Sequence, residues 1–222
     1  MVAEKASPSE RLSTVDNPIR ILLVDDHSVV RAGFRWFLDN EPGIKIIAEA
    51  ERGETACQLF AGLRPDIVVM DLTLPGMGGI NTITRMVARE ADARILVFSV
   101  HEEAIYVRHA ISAGARGYIS KRSAPEIMLE AIATVMEGEL YVEAGLLDGL
   151  EDGLMPSDAL SPREFEIFRL LALGQTSREI ANELHLSGKT VANYVTKIKA
   201  KLNVRTAAEL MRLAYRTGIV ND

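Results

Sequence analysis

A single cysteine, Cys57, among 222 residues excludes an internal disulfide and fits a reducing compartment. No apolar run approaches the roughly 18 residues that a membrane-spanning helix needs. Residues 1 to 18 are polar, with charges, Ser and Pro, and lack the apolar core of a secretion signal. They are expected to form a flexible tail, with the cytoplasm as the compartment and no membrane partner. Internal repeats are missing too. With 48% hydrophobic residues, the chain can instead bury the core of one large domain or two modest ones.

The net charge of −6 is unevenly spread. Residues 1 to 156 carry 15 Lys and Arg against 24 Asp and Glu, a balance of −9. Residues 157 to 222 carry 10 against 7, a balance of +3. An acidic body joined to a mildly basic module points to a polyanionic partner for the tail module alone.

From Ile19 onward, short β-branched runs alternate with stretches of helical spacing. The runs are 19–26, 44–50, 66–71, 93–99 and 117–120; the helical stretches are 28–39, 53–62, 79–91, 102–113 and 124–137. Nearly continuous apolar runs suit parallel strands covered on both faces. Five such units predict an α/β, doubly wound, five-stranded parallel sheet over residues 19–138. The alternation stops at residues 139–159, whose glycines, proline and scattered leucines read as a linker with room for one short helix. From 160 to 222 the pattern is all helical, at 162–173, 177–184, 188–202 and 206–216. Ser161, Pro162 and Glu164 form a capping-box signature at its start.

In a sheet of order 2-1-3-4-5, ligands bind outside the carboxyl ends of the strands, between the first and third. Asp25 and Asp26 end the first strand and Asp71 the third, while Ser99 ends the fourth and Lys121 the fifth. A lone Asp after a strand is ordinarily a turn or a helix cap. Five polar groups at the ends of four strands are another matter. Clustered carboxylates repel unless protonated or neutralised by a cation, and all-oxygen ligands suit Mg²⁺. A carboxylate can also attack phosphorus to form an aspartyl phosphate, helped by a cation, an ammonium and a hydroxyl.

The segments DDH (25–27), MDLTLPGMGG (70–79), FSV (98–100) and GYISK (117–121) resemble the receiver domain of bacterial two-component response regulators, over about 19–138. The resemblance implies a CheY/flavodoxin-like fold in which Asp71 accepts phosphate from a sensor histidine kinase. Asp26 and Asp71 then bind Mg²⁺ directly, Asp25 through water, and the Thr73 backbone carbonyl is a further ligand. Ser99 and Lys121 bind phosphoryl oxygens, and Tyr118 is the aromatic switch residue, turning inward as Ser99 moves. One departure is Val100, where that family usually carries a smaller residue; a narrower approach to Asp71 and altered phosphorylation kinetics are expected.

On the stretch 188–202, Val191, Val195, Ile198 and Leu202 share one stripe, with Lys189, Asn193, Thr196 and Ala200 opposite and Lys197 on the flank. Lysine suits phosphate or guanine, Asn suits adenine, and small residues allow close approach to a groove. Residues 160–204 resemble the LuxR-type helix-turn-helix, with 177–184 as scaffold helix and 189–202 as recognition helix. The resemblance implies promoter DNA as partner, contacts from Lys189, Thr190, Asn193, Tyr194 and Lys197, and a homodimer when phosphorylated. Ala192 stands where a basic residue is common in that family. Together the halves are similar to the NarL/FixJ class.

Two rival readings differ in kind. A phosphohydrolase with an aspartyl nucleophile ordinarily needs a second acid two residues on, where Thr73 stands. A regulator independent of phosphorylation is argued against by the full set of Asp25, Asp26, Asp71 and Lys121. The chain is therefore expected not to be an enzyme, beyond accepting a phosphoryl group and losing it again.

Overall fold

The computed structural model describes residues 11–12, 17–147 and 156–220. Most of the tail expected at 1–18 and the centre of the linker expected at 139–159 lie outside the described residues. Leu12 is buried among sheet-face residues, and Arg11 pairs with Glu137 at 3.1 Å.

The strands are β1 (Ile19–Val24), β2 (Ile44–Ala50), β3 (Ile67–Met70), β4 (Ile95–Ser99), β5 (Gly117–Ser120) and β6 (Tyr141–Val142). Between the first five run α1 (Ser28–Asp39), α2 (Gly53–Leu63), α3 (Gly79–Arg89) and α4 (Ala104–Ser112), and α5 (Pro125–Met136) follows β5. The sheet order is β2-β1-β3-β4-β5-β6, all parallel. Alternate side chains of each strand point to opposite faces. Ile21, Leu23, Ile67, Val69, Leu96 and Phe98 meet Leu38 of α1 and Met128 and Ile132 of α5. Leu22, Val24, Val68, Met70 and Val97 meet Phe60, Ile83, Met86, Ile105 and Val107 of α2, α3 and α4. Both faces are covered, which is why the strands read as unbroken apolar runs.

The sheet has six strands where five were expected. Tyr141 N donates to Arg116 O at 3.1 Å and Glu143 N to Tyr118 O at 3.1 Å, so the start of the expected linker extends the sheet beside β5. Two residues are too few to carry a hydrophobic period, so the strand left no mark in the sequence.

The remaining helices are α6 (Pro162–Ala172), α7 (Ser177–Glu183), α8 (Gly188–Lys201) and α9 (Ala207–Arg216). Capping boxes open α6 (Ser161 with Glu164), α7 (Thr176 with Glu179) and α9 (Thr206 with Glu209), and Ser187 caps α8. Each satisfies orphan N–H donors of a first turn and fixes where the helix begins. Phe165, Phe168, Ile180, Leu184, Val191, Ile198, Leu202 and Leu210 form their core, continuous with the α2–α4 side of the sheet. Among the described residues no helix is long and apolar enough to cross a membrane.

Candidate functional site

Asp25 and Asp71 follow β1 and β3 directly, at neighbouring strands where the chain order reverses. Each is about 1% exposed, and Ser99 at the end of β4 is fully buried. Lys121, just past β5, puts Nζ 2.9 Å from Asp71 Oδ2 and 2.5 Å from Asp25 Oδ2. The strand ends therefore bring Asp25, Asp71 and Lys121 into contact, with Ser99 O accepting from Lys121 N at 2.7 Å. Asp26 is one-third exposed at the rim and bound to His27 Nδ1 at 2.8 Å.

Burial pushes the Asp71 carboxyl up, against the opposing pull of Lys121. Burial alone would lower Lys121; the two carboxylates outweigh it and hold its ammonium above the ordinary range. Three carboxyl groups meet one ammonium at this rim. Ligand atoms of Asp25, Asp26, His27 and Asp71 lie within 4.8 Å of one another, a set that could hold a metal ion. Asp25 Oδ2 is buried and has the Lys121 ammonium, 2.5 Å away, as its ion partner. The clustered carboxylate oxygens of Asp25, Asp26 and Asp71 fit a hard divalent cation with oxygen ligands.

The loop after Asp71 is shaped by close approach. Thr73 N donates to Asp71 Oδ1 at 3.2 Å, and Gly79 N to Leu72 O at 3.0 Å. A Cβ at Gly79 would overlap the Asp71 carbonyl and Leu72 Cα, so only glycine fits there. Val100, the residue after Ser99, is 51% exposed. Tyr118 is already fully buried, and its hydroxyl donates to His101 O at 2.7 Å. There is no outward ring left to turn in, so the expected inward rotation is not available from this state.

Several residues escaped the sequence reading. Arg31 Nη1 donates to Asp25 O at 2.6 Å and steadies the end of β1. His101 Nε2 lies 3.3 Å from Thr73 Oγ1, and its ring stacks on Tyr106 at 4.0 Å. Tyr106 meets Phe165 of α6 edge-on at 5.5 Å, and His109 stacks on the same Phe165 at 4.0 Å. The helical domain is thus docked on the α3–α4 face beside the acidic pocket. Asn81 Nδ2 donates to Glu166 Oε2 at 2.6 Å, Arg108 pairs with Asp158 at 3.1 Å, and His109 Nε2 donates to Ser157 O at 3.1 Å. Gly78, at φ 74°, leaves the room that the Glu166 carboxylate fills. These partners lie 48 to 85 residues apart in sequence, beyond any local pattern.

On α8, Val191 and Ile198 are fully buried and Val195 partly so, while Lys189, Asn193, Thr196, Lys197 and Ala200 are exposed. Thr190 is half-buried and hydrogen-bonds the Ser187 hydroxyl at 2.8 Å. Tyr194 is half-buried against the core, with Lys197 Nζ 5.9 Å from its ring centre.

Residues 21–133 match the family described as "Response regulator receiver domain", and residues 158–214 the family described as "Bacterial regulatory proteins, luxR family". The chain is 40% identical over 208 residues to the transcriptional activator protein ExaE of Pseudomonas putida, covering 90% of this chain and 97% of that one. It is 37% identical over 210 residues to the response regulator UvrY of Escherichia coli K12, covering 91% and 96%. Among solved structures it is similar to RcsB of Salmonella enterica serovar Typhimurium bound to promoter P1flhDC in the presence of phosphomimetic BeF3⁻. The TM-score is 0.67 at 25% identity, covering 88% of this chain and 98% of that one.

Proposed function

The chain belongs to the NarL/FixJ family of response regulators, and we propose that Asp71 is its phosphoacceptor and the helical domain its phosphate-controlled DNA reader. The observation that carries this reading is the contact of the Lys121 ammonium with the buried Asp25 and Asp71, beside the buried Ser99 and one loop away from the docked α6. The phosphoryl donor is a sensor histidine kinase in the bacterial cytoplasm. An Asp71 carboxylate oxygen attacks phosphorus; the bond to the donor imidazole nitrogen breaks, and the imidazole leaves with the electron pair. Lys121 and the Ser99 hydroxyl then take phosphoryl oxygens. Asp25, Asp26, Asp71 and the Thr73 carbonyl would hold Mg²⁺, which neutralises the charge gathering between acceptor and phosphate. The same site later releases phosphate to water, without turnover of a separate substrate.

Phosphorylation adds charge and acceptor oxygens next to Thr73, His101 and the Gly78 loop. Because Tyr118 is already inward, the change lies in the hydrogen bonds of Ser99, His101 and Thr73. Those residues lead through Tyr106 to Phe165, so the docked helical domain loosens and a homodimer forms on paired half-sites. A flip from about 1:99 to 99:1 needs about 5.5 kcal/mol of differential stabilisation.

The test is promoter binding with and without acetyl phosphate and Mg²⁺. Affinity is expected to rise on phosphorylation; unchanged affinity would sink the switch. Asn193→Ala is expected to cost about 1–3 kcal/mol at the specific site. Lys197→Ala should weaken all sequences alike and reduce the salt slope by about one.

Val100 supplies a second, smaller expectation. This residue is exposed directly after Ser99, and Val100→Ala is expected to speed both loading and decay of the acyl phosphate several-fold. Identical rates in the two proteins would remove Val100 as a gate.

A further inference from the structure

The loop that carries Lys121 is held from a place outside the pocket. Glu143 directly follows β6, and its backbone N–H bonds Tyr118 O. Its carboxylate then reaches both sides of Lys121. Glu143 Oε2 accepts from Ser120 N at 2.9 Å, and Oε1 accepts from Ser123 Oγ at 2.5 Å. β6 ends at Val142, so the side chain of the next residue supplies the acceptor for Ser120 N that a longer strand would have offered from its backbone. On the opposite side, Ser120 Oγ donates to Glu102 Oε1 at 2.6 Å and accepts from Arg122 N at 3.1 Å. Lys121 N in turn donates to Ser99 O at 2.7 Å.

We propose that Glu143 is a positioning residue for the phosphoryl chemistry at Asp71, acting by clamping the Ser120–Ser123 turn that aims the Lys121 ammonium. The proposal rests on Asp71 being the phosphoacceptor. Lys121 Nζ must meet two buried carboxylates at 2.5 and 2.9 Å, so a small slip of its backbone misplaces the charge. Glu143 also lies on the segment that leads from the sheet to the helical domain. The clamp therefore joins the position of that segment to the competence of the phosphorylation site.

The experiment compares Glu143→Ala, Glu143→Gln and Ser123→Ala in the full-length protein, labelled with acetyl phosphate over a range of Mg²⁺ concentrations. Gln keeps an acceptor for Ser120 N and an amide that can pair with the Ser123 hydroxyl, so it preserves the clamp without the charge. Glu143→Ala is expected to slow maximal labelling by about ten- to a hundredfold, with Mg²⁺ half-saturation unchanged because the carboxylates are untouched. Glu143→Gln should restore the wild-type rate, and Ser123→Ala should fall between. Wild-type labelling by the Ala variant would overturn the proposal. So would an equal loss in Gln and Ala, which would show that charge matters and not geometry. So would a shift confined to Mg²⁺ half-saturation. An Asp71→Asn control run alongside separates the two readings: label that survives there defeats the phosphoacceptor assignment itself.

Discussion

Asp71→Asn is expected to leave the protein folded and to bring Mg²⁺-dependent labelling by acetyl phosphate down to background. The substitution keeps the side chain's size, and an amide oxygen can still accept from Thr73 N, which bonds Asp71 Oδ1 at 3.2 Å. What it removes is the nucleophile. It also removes a desolvated charge: burial is the largest influence on the Asp71 carboxyl and disfavours its ionised form. Lys121 keeps Asp25 as partner at 2.5 Å, so no buried ammonium is stranded. Thermal stability without Mg²⁺ is therefore expected to equal or exceed wild type, while the acid-stable, base-labile label disappears. Label at undiminished level would move the acceptor elsewhere. Steady hydrolysis of a small phosphate ester by the wild type would instead favour a phosphohydrolase, against which Thr73 at the second-acid position already argues.

The half of the site built on strand ends was legible in the sequence because its signal is local and repeated. Each apolar run stops at a polar group, and parallel topology puts all those stops on one rim. Asp25, Asp71, Ser99 and Lys121 were found that way. β6 and Glu143 were not, because a two-residue strand has no period and its clamp depends on a side chain. The docking of α6 was equally silent. Ser161 and Glu164 announced where the helix begins, yet nothing local marked Glu166, set between the buried Phe165 and Ile167, for burial against the sheet domain. Its partner Asn81 lies 85 residues away. Tyr118 shows a third kind of gap: a residue type can be matched by position while its rotamer is set by the side chains packed around it.

Docking of the two domains is expected to weaken with rising pH, and Glu166→Gln to abolish that response. Glu166 is 8% exposed and faces Gly78 and Asn81 of the sheet domain, with Arg163 and Arg169 on its own helix. Burial pushes its carboxyl from 4.5 to about 7, outweighing the arginines and the Asn81 hydrogen bond. On separated domains the carboxylate meets water and returns toward 4.5. An acid raised in the docked state favours docking fully below its free value, and that contribution is lost as pH climbs through the docked one. At about 1.4 kcal/mol per unit, ionised Glu166 opposes docking by about 3 kcal/mol at pH 8. His101 and His109 have the opposite sign. Burial lowers both, so their contribution is intact above 6.5 and lost as pH falls below it. The Glu166 effect is therefore cleanest between pH 6.5 and 8, where about 1 kcal/mol of the total develops. Small-angle scattering of the unphosphorylated protein should show a larger radius of gyration at pH 8 than at 6.5, with promoter binding less dependent on phosphate. Gln retains an acceptor for Asn81 and has no charge to bury, so the Gln variant should stay compact across that range and bind DNA less without phosphate. A wild-type radius that ignores pH, or a Gln variant that still expands, would show that the Glu166 contact does not control docking.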